Sequence, residues 1–230
     1  MHCLKKGVLT TCHYYMKIIL YTAPAELENE IDILSQLLDA GVDYLYIRKP
    51  ELDDFSLVDF VEKIPEQYWK QCISTSLIIT KEFNLGGYHF TRAILQKNEL
   101  YNDKVLNWLN ENDKISSVSA HDIDELKKYG GKFKHVIVSP LFPSISKDNH
   151  SYDWDYNDVR STMNDIRLKS QISNFKSQIF AVGGVDLSKI ETVKNLNFDG
   201  IGLLGALWKE PENALPVMLK MIQQFKKNNE

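Results

Sequence analysis

From Lys17 onward, short runs of β-branched and aromatic residues alternate with stretches whose apolar residues recur at every third or fourth position. The strand-like runs are 17–22 (KIILYT), 43–49 (DYLYIRK), 76–80 (SLIIT), 87–90 (GYHF), 114–121 (KISSVSAH), 135–140 (HVIVSP), 178–184 (QIFAVGG) and 199–206 (DGIGLLGA). Between most of them the spacing is that of one helix face, as in Leu27-Ile31-Leu34-Leu37-Leu38, Val105-Leu106-Trp108-Leu109 and Leu215-Met218-Leu219-Ile222. Gly41 and Gly130–Gly131 stand where two of these helices should stop, because glycine adopts positive φ at a helix C′ position without a steric penalty.

Eight strands that alternate with helices must pair in parallel, since each return to the sheet crosses over through a helix. The expectation is therefore an α/β fold, a (β/α)8 barrel of one domain spanning residues 16–230. GYHF follows SLIIT closely, which predicts a trimmed or irregular third helix. Residues 143–154 (PSISKDNHSYDW) form the one long polar loop, where Tyr152 and Trp154 read either as a lid or as core packing. Residues 1–15 lack the apolar stretch of a signal peptide, and Met16 directly precedes the first strand. They are expected to be a disordered leader or an over-long start.

Composition narrows the partners. A net charge of −4 and a pI near 5.9 provide no clustered basic face for nucleic acid or an anionic membrane, and no apolar run is long enough to span a bilayer. Cys3, Cys12 and Cys72 are odd in number and lack CxxC spacing, so neither structural zinc nor a disulfide framework is indicated, and a reducing cytoplasm fits. The sequence leaves a homodimer open.

The chemistry should lie where the strands end, and phosphate in such barrels often binds after the seventh and eighth strands. Gly183-Gly184 closes the seventh run, and Gly200, Gly202, Gly205 and Ala206 occupy the eighth. An oxyanion held by several backbone N–H groups needs residues without bulky side chains, although glycine also simply relieves crowding at a turn. Ser144, Ser146 and Lys147 follow the sixth strand and offer two hydroxyls and an ammonium between prolines, or an ordinary polar loop. Alternation puts Ser117, Ser119 and His121 on one face of the fifth strand. His121 is a candidate proton carrier or a structural residue ahead of the helix at Asp122, and His89 is a second candidate. Arg48 shares a face with Tyr44 and Tyr46 and can hold an anionic ligand or a neighbouring carboxylate.

Ser-Val-Ser-Ala-His (117–121), Ser-Pro-Leu-Phe-Pro-Ser-Ile-Ser-Lys (139–147), Val-Gly-Gly-Val (182–185) and Gly-Ile-Gly-Leu-Leu-Gly-Ala-Leu (200–207) together resemble thiamine phosphate synthase and its thiazole tautomerase relatives, the TenI branch, from about Lys17 to the C-terminus. The resemblance implies that Arg48, Ser144, Ser146 and Lys147 contact a pyrimidine diphosphate. It implies that Gly183, Gly184, Gly205 and Ala206 cradle a thiazole phosphate. Ser119 matches the strand-five serine, and His121 falls where the tautomerase branch keeps a proton-shuttling histidine. A synthase of this family would hold magnesium on an Asn-Asp pair ending strand three and an aspartate after strand four. The stretches aligned with those positions read Ile-Ile-Thr-Lys-Glu (78–82), with Thr80 and Lys81 in place of the pair, and His-Phe-Thr-Arg-Ala-Ile (89–94). Pro50 replaces an expected lysine, and Lys49 points to the other face. Tautomerase-like proton transfer by His121 and Ser119 without a cofactor is therefore the expectation. A magnesium-dependent synthase and a silent binder of thiamine intermediates are the alternatives.

Overall fold

The structure is a computed structural model that describes residues 2–5, 8–11, 16–25, 27–97, 99–143, 154–173 and 175–227, by backbone alone before residue 16 and after residue 224. His2–Lys5 and Val8–Thr11 pair antiparallel. After them come eight strands: β1 (Lys17–Tyr21), β2 (Tyr44–Ile47), β3 (Cys72–Ser74), β4 (Gly87–Phe90), β5 (Ile115–Ala120), β6 (His135–Val138), β7 (Gln178–Val182) and β8 (Gly200–Leu203). Each pairs in parallel with its neighbour in sequence, and β8 closes on β1. This is the (β/α)8 barrel that the alternation predicts.

The helices lie between the strands: α1 (Glu30–Asp39), α2 (Asp54–Glu62), α3 (Leu77–Glu82), α4 (Arg92–Lys97), α5 (Glu99–Glu111), α6 (Ile123–Tyr129), α7 (Tyr156–Ser173), α8 (Ile190–Asn195), α9 (Gly205–Trp208) and α10 (Ala214–Lys227). Strand alternation divides the core into two layers. Ile18, Leu20, Leu45, Ile47, Val136 and Val138 face outward and pack with helix residues such as Leu34, Leu37, Met163 and Met218. Ile19, Tyr21, Tyr46, Ile73, Ile137, Phe180 and Val182 fill the barrel itself. Gly41 takes φ +112° after α1 and Gly131 takes φ +85° after α6, as expected of glycines that end helices.

The third unit corrects the sequence reading. Residues 76–80 were expected as a strand, but they begin α3, and the strand is the upstream Cys72–Ser74. A short apolar run fits either element, and here local bonding decides. The Ser76 hydroxyl accepts from the Ile79 N–H, while the Ser76 carbonyl accepts from the Thr80 N–H (3.1 Å) and hydroxyl (2.8 Å). Ile78, at 65% exposure, could not belong to a buried strand. Lys81 lies over the Trp108 ring, 4.6 Å from its centroid. The end of strand three is therefore Ser74-Thr75, and not Thr80-Lys81.

Candidate functional site

A cavity of about 1300 Å³ opens at the C-terminal ends of the strands. Arg48, His89, Ser119, His121, Gly183, Gly184, Gly205 and Ala206 all line it. Ser144, Ser146 and Lys147 lie outside the described residues, as does Tyr152. What is described of their loop is its two roots. Leu141 donates to the Val182 carbonyl (2.8 Å), Phe142 to the Gly183 carbonyl (3.2 Å), and the Trp154 indole to the Pro140 carbonyl (2.8 Å). Trp154 is half-buried against the core, which favours packing over a free lid.

The glycine rim is built by neighbouring strands, since β7 and β8 pair directly. Gly183 (φ +87°) and Gly184 (φ +63°) are both in the left-handed region. A Cβ on Gly184 would lie 2.4 Å from the Pro143 carbonyl oxygen, and one on Gly183 would lie 2.7 Å from the Pro140 ring. The turn needs glycine at both positions to pack on the β6 loop, and both residues line the cavity. Gly205 and Ala206 form the first turn of α9, where N–H groups have no partner within the helix.

His121 ends β5, just before α6. Its backbone N–H donates to the Glu125 carboxylate (2.8 Å), and its ring Nδ1 lies 2.5 Å from the Ser139 carbonyl oxygen. A carbonyl can only accept, so in the neutral ring Nδ1 carries the proton and Nε2 keeps its lone pair. Asp122 caps α6 by accepting from the Glu125 N–H (2.7 Å), and the second Glu125 oxygen accepts from Arg92 (2.6 Å). Glu125 went unnoticed in the sequence, although Asp122-x-x-Glu125 directly after a strand is a helix-start pattern that could have located it. The Ser139 carbonyl has no sequence signal, because it acts through the backbone.

Arg48 is fixed by a reciprocal pair with Thr22: its N–H donates to the threonine hydroxyl (2.9 Å), which donates to the Arg48 carbonyl (3.1 Å). Lys49 turns away from the barrel interior, bonding Glu30 (2.5 Å) and the Ala23 carbonyl (2.9 Å). His89 sits deeper than expected of a rim residue. Its Nδ1 meets the Ser117 hydroxyl (2.9 Å) and its Nε2 the Ser119 hydroxyl (3.4 Å). Burial, then the charge of Arg48 and of His121, pulls its pKa down to about 4, so the ring is neutral.

Magnesium, which the resemblance allows, needs hard anionic oxygen ligands. The ends of β3 and β4 present Thr75, Thr91 and Arg92 to the cavity, a donor set of hydroxyls and a guanidinium that does not fit the ion. Among the described residues no group of three or more His, Cys, Asp or Glu side chains converges on a metal-sized point. Of the carboxylates at the cavity, Glu125 is bonded to Arg92 and His121, Asp186 accepts from the Ser188 N–H and hydroxyl, and Glu210 accepts from the Asn213 side-chain amide (3.0 Å).

Comparison with known proteins agrees with this geometry. The family model described as thiamine monophosphate synthase matches residues 18–207. The fold matches the thiamine phosphate pyrophosphorylase of Bacteroides thetaiotaomicron at TM-score 0.67 and 22% identity, covering 92% of this chain and 96% of that one. It matches the thiamine phosphate pyrophosphorylase of Pyrococcus furiosus at TM-score 0.69 and 13% identity, covering 94% and 98%. A 3-hexulose-6-phosphate synthase matches at TM-score 0.65 and 12% identity, covering 91% and 99%. No curated protein matches the sequence. At these identities the structural likeness speaks for the fold alone. The family match, running from β1 into α9 and including every described rim segment above, shows that the chain belongs to the thiamine monophosphate synthase/TenI family.

Proposed function

We propose that this protein is a thiamine-pathway enzyme that binds a thiazole phosphate at the β7–β8 glycine rim and moves a proton on it with His121. The observation that carries the reading is the 2.5 Å approach of His121 Nδ1 to the Ser139 carbonyl oxygen, which assigns the ring tautomer. With Nδ1 donating to Ser139, Nε2 is the ring's basic nitrogen, on a residue lining the same cavity as Gly183, Gly184 and Gly205. Glu125 fixes the backbone from which the ring projects. Ser119, one alternation below, lines the same cavity. The hydroxyls and guanidinium at the β3 and β4 ends add weight, because they give a magnesium-bridged diphosphate no carboxylates to sit on.

His121→Ala should lower isomerisation of the exocyclic thiazole carboxylate phosphate by at least about a hundredfold, the usual contribution of a positioned acid–base group. Calorimetric affinity for thiazole phosphate should stay near wild type. Unchanged turnover refutes the role of His121.

The second reading is synthase activity, joining a pyrimidine diphosphate to the thiazole phosphate. The size of the cavity favours it, since about 1300 Å³ exceeds what one small ligand needs. On this reading Arg48 and the loop bearing Ser144, Ser146 and Lys147 would take the diphosphate. Magnesium-dependent diphosphate release with both substrates present would establish it over the first. Thermal stabilisation by thiazole phosphate with no turnover in either assay would leave a non-catalytic binder.

A further inference from the structure

Beneath the cavity, polar side chains run through the barrel as one continuous hydrogen-bonded chain. Lys17 Nζ lies 3.3 Å from the Tyr44 hydroxyl, which lies 3.4 Å from Gln178 Oε1. The same Oε1 is 3.1 Å from His135 Nε2, and His135 Nδ1 is 3.0 Å from the Tyr46 hydroxyl. Tyr46 continues to Ser117 (2.8 Å), Ser117 to His89 Nδ1 (2.9 Å), and His89 Nε2 to Ser119 (3.4 Å). Ser117, His135 and Tyr46 are buried.

The direction of donation is fixed by two groups: Lys17, which can only donate, and the Gln178 side-chain carbonyl oxygen, which can only accept. An ammonium only donates, so Tyr44 accepts from it and gives its own proton to Gln178. His135 Nε2 faces that carbonyl oxygen and therefore carries the ring proton. Burial pulls the His135 pKa down to about 3, so the ring is neutral and Nδ1 accepts from Tyr46. Tyr46 has then used its proton and accepts from Ser117. Ser117 in turn accepts from His89 Nδ1–H, and His89 Nε2 accepts from Ser119. The opposite direction would require the Gln178 amide to donate at both contacts, leaving the Tyr44 oxygen flanked by donors on both sides.

We infer that Tyr46 and His135 are positioning residues that hold His89 as its Nδ1–H tautomer and so fix Ser119 as a hydrogen-bond acceptor toward the ligand. With its proton engaged by His89, Ser119 offers the cavity only lone pairs. It selects a ligand carrying an N–H or O–H at that point and disfavours a carboxylate or phosphate oxygen there. Tyr46 and His135 thus tune recognition through the hydrogen-bonded chain that ends at Ser119. The inference rests on the proposed reading only in taking this cavity as the ligand site; it is indifferent to which reaction occurs.

The test is the ¹⁵N spectrum of the histidine rings in uniformly labelled, ligand-free protein. His89 should show a protonated Nδ1 and a bare Nε2, and His135 the reverse. In Tyr46→Phe the Ser117 hydroxyl loses its acceptor and turns to His89 Nδ1, so at least half of His89 should shift to the Nε2–H form. Ser117→Ala, a small change within the chain, should likewise remove the tautomer preference. Inorganic phosphate affinity should be unchanged in both variants, which separates this result from loss of the phosphate site. A wild-type His89 with Nε2 protonated, or a tautomer indifferent to both substitutions, overturns the inference. If the tautomers behave as expected but His121→Ala keeps full isomerase turnover, only the proposed reaction fails.

Discussion

The two sides of the cavity mouth are built on opposite principles. At β7–β8 the wall is backbone: Gly183 and Gly184 occupy left-handed conformations against the β6 loop, and the first turn of α9 follows β8. At β3–β4 the wall is side chain, with Thr75, Thr91 and Arg92 lining the cavity. A backbone wall permits few substitutions, because a Cβ at Gly184 meets a carbonyl oxygen at 2.4 Å. A side-chain wall can exchange carboxylates for hydroxyls without disturbing the barrel. Side chains can therefore drift at one rim while the glycine backbone of the other stays fixed.

Gly184→Val tests the constrained side most severely. A β-branched residue at φ +63° carries backbone strain of about 1–3 kcal/mol, and its Cβ also forces the Pro143 segment to move. We expect a clear fall in Tm and at least a tenfold loss of inorganic phosphate affinity by calorimetry. Thr75→Val at the opposite rim should change that affinity less than about twofold, since on the proposed reading the anion sits at the glycine rim and not on this hydroxyl. Equal losses from the two substitutions would erase the distinction between the rims.

The same contrast explains what could be read from sequence. The glycine rim was legible because left-handed backbone and close approach leave glycine as the fitting residue, so its identity reports geometry directly. Strand alternation placed Arg48, Ser119 and His121 at one cavity, and it turned Lys49 away toward Glu30. The β3 rim was misread because SLIIT is apolar and short, and its fate depends on a Ser76 cap and on Cys72–Ser74 pairing with β2 and β4. The first is a local cap and the second a contact between distant segments, and hydrophobic periodicity encodes neither. The buried chain through His135 and Tyr46 was hidden for a related reason: it links strands β1, β2, β4, β5, β6 and β7, joining residues far apart in sequence.

A pH series should sharpen the comparison next. His89 and His135 lie on the β4–β6 side, and burial holds their pKa values at about 4 and about 3, against 6.5 in an unfolded chain. Between those values the unfolded state binds protons that the folded state refuses. Their contribution is complete above pH 6.5 and falls away as the pH drops toward 4, on the order of 3 kcal/mol for each ring. Urea titrations at pH 7.5, 6, 5 and 4.5 should show stability declining steadily over this window, and the His89 and His135 ring resonances should stay unprotonated while the protein remains folded. Rings that titrate near 6.5 in the folded protein would mean water reaches the barrel interior.

Arg92→Ala should have a small effect. The guanidinium is half exposed, and its pair with Glu125 is of the kind worth about 0–1 kcal/mol in water. Glu125 would keep its other oxygen on the His121 N–H, so the His121 backbone stays in place. The expected result is a melting temperature near wild type, with kcat nearly unchanged and KM for a phosphorylated thiazole raised about threefold through loss of a mobile positive charge at the rim. If KM rises far more while phosphate binding at the glycine rim is intact, the β4 side also grips the ligand directly. Arg92 would then be a cationic contact at the rim whose donor set does not fit magnesium.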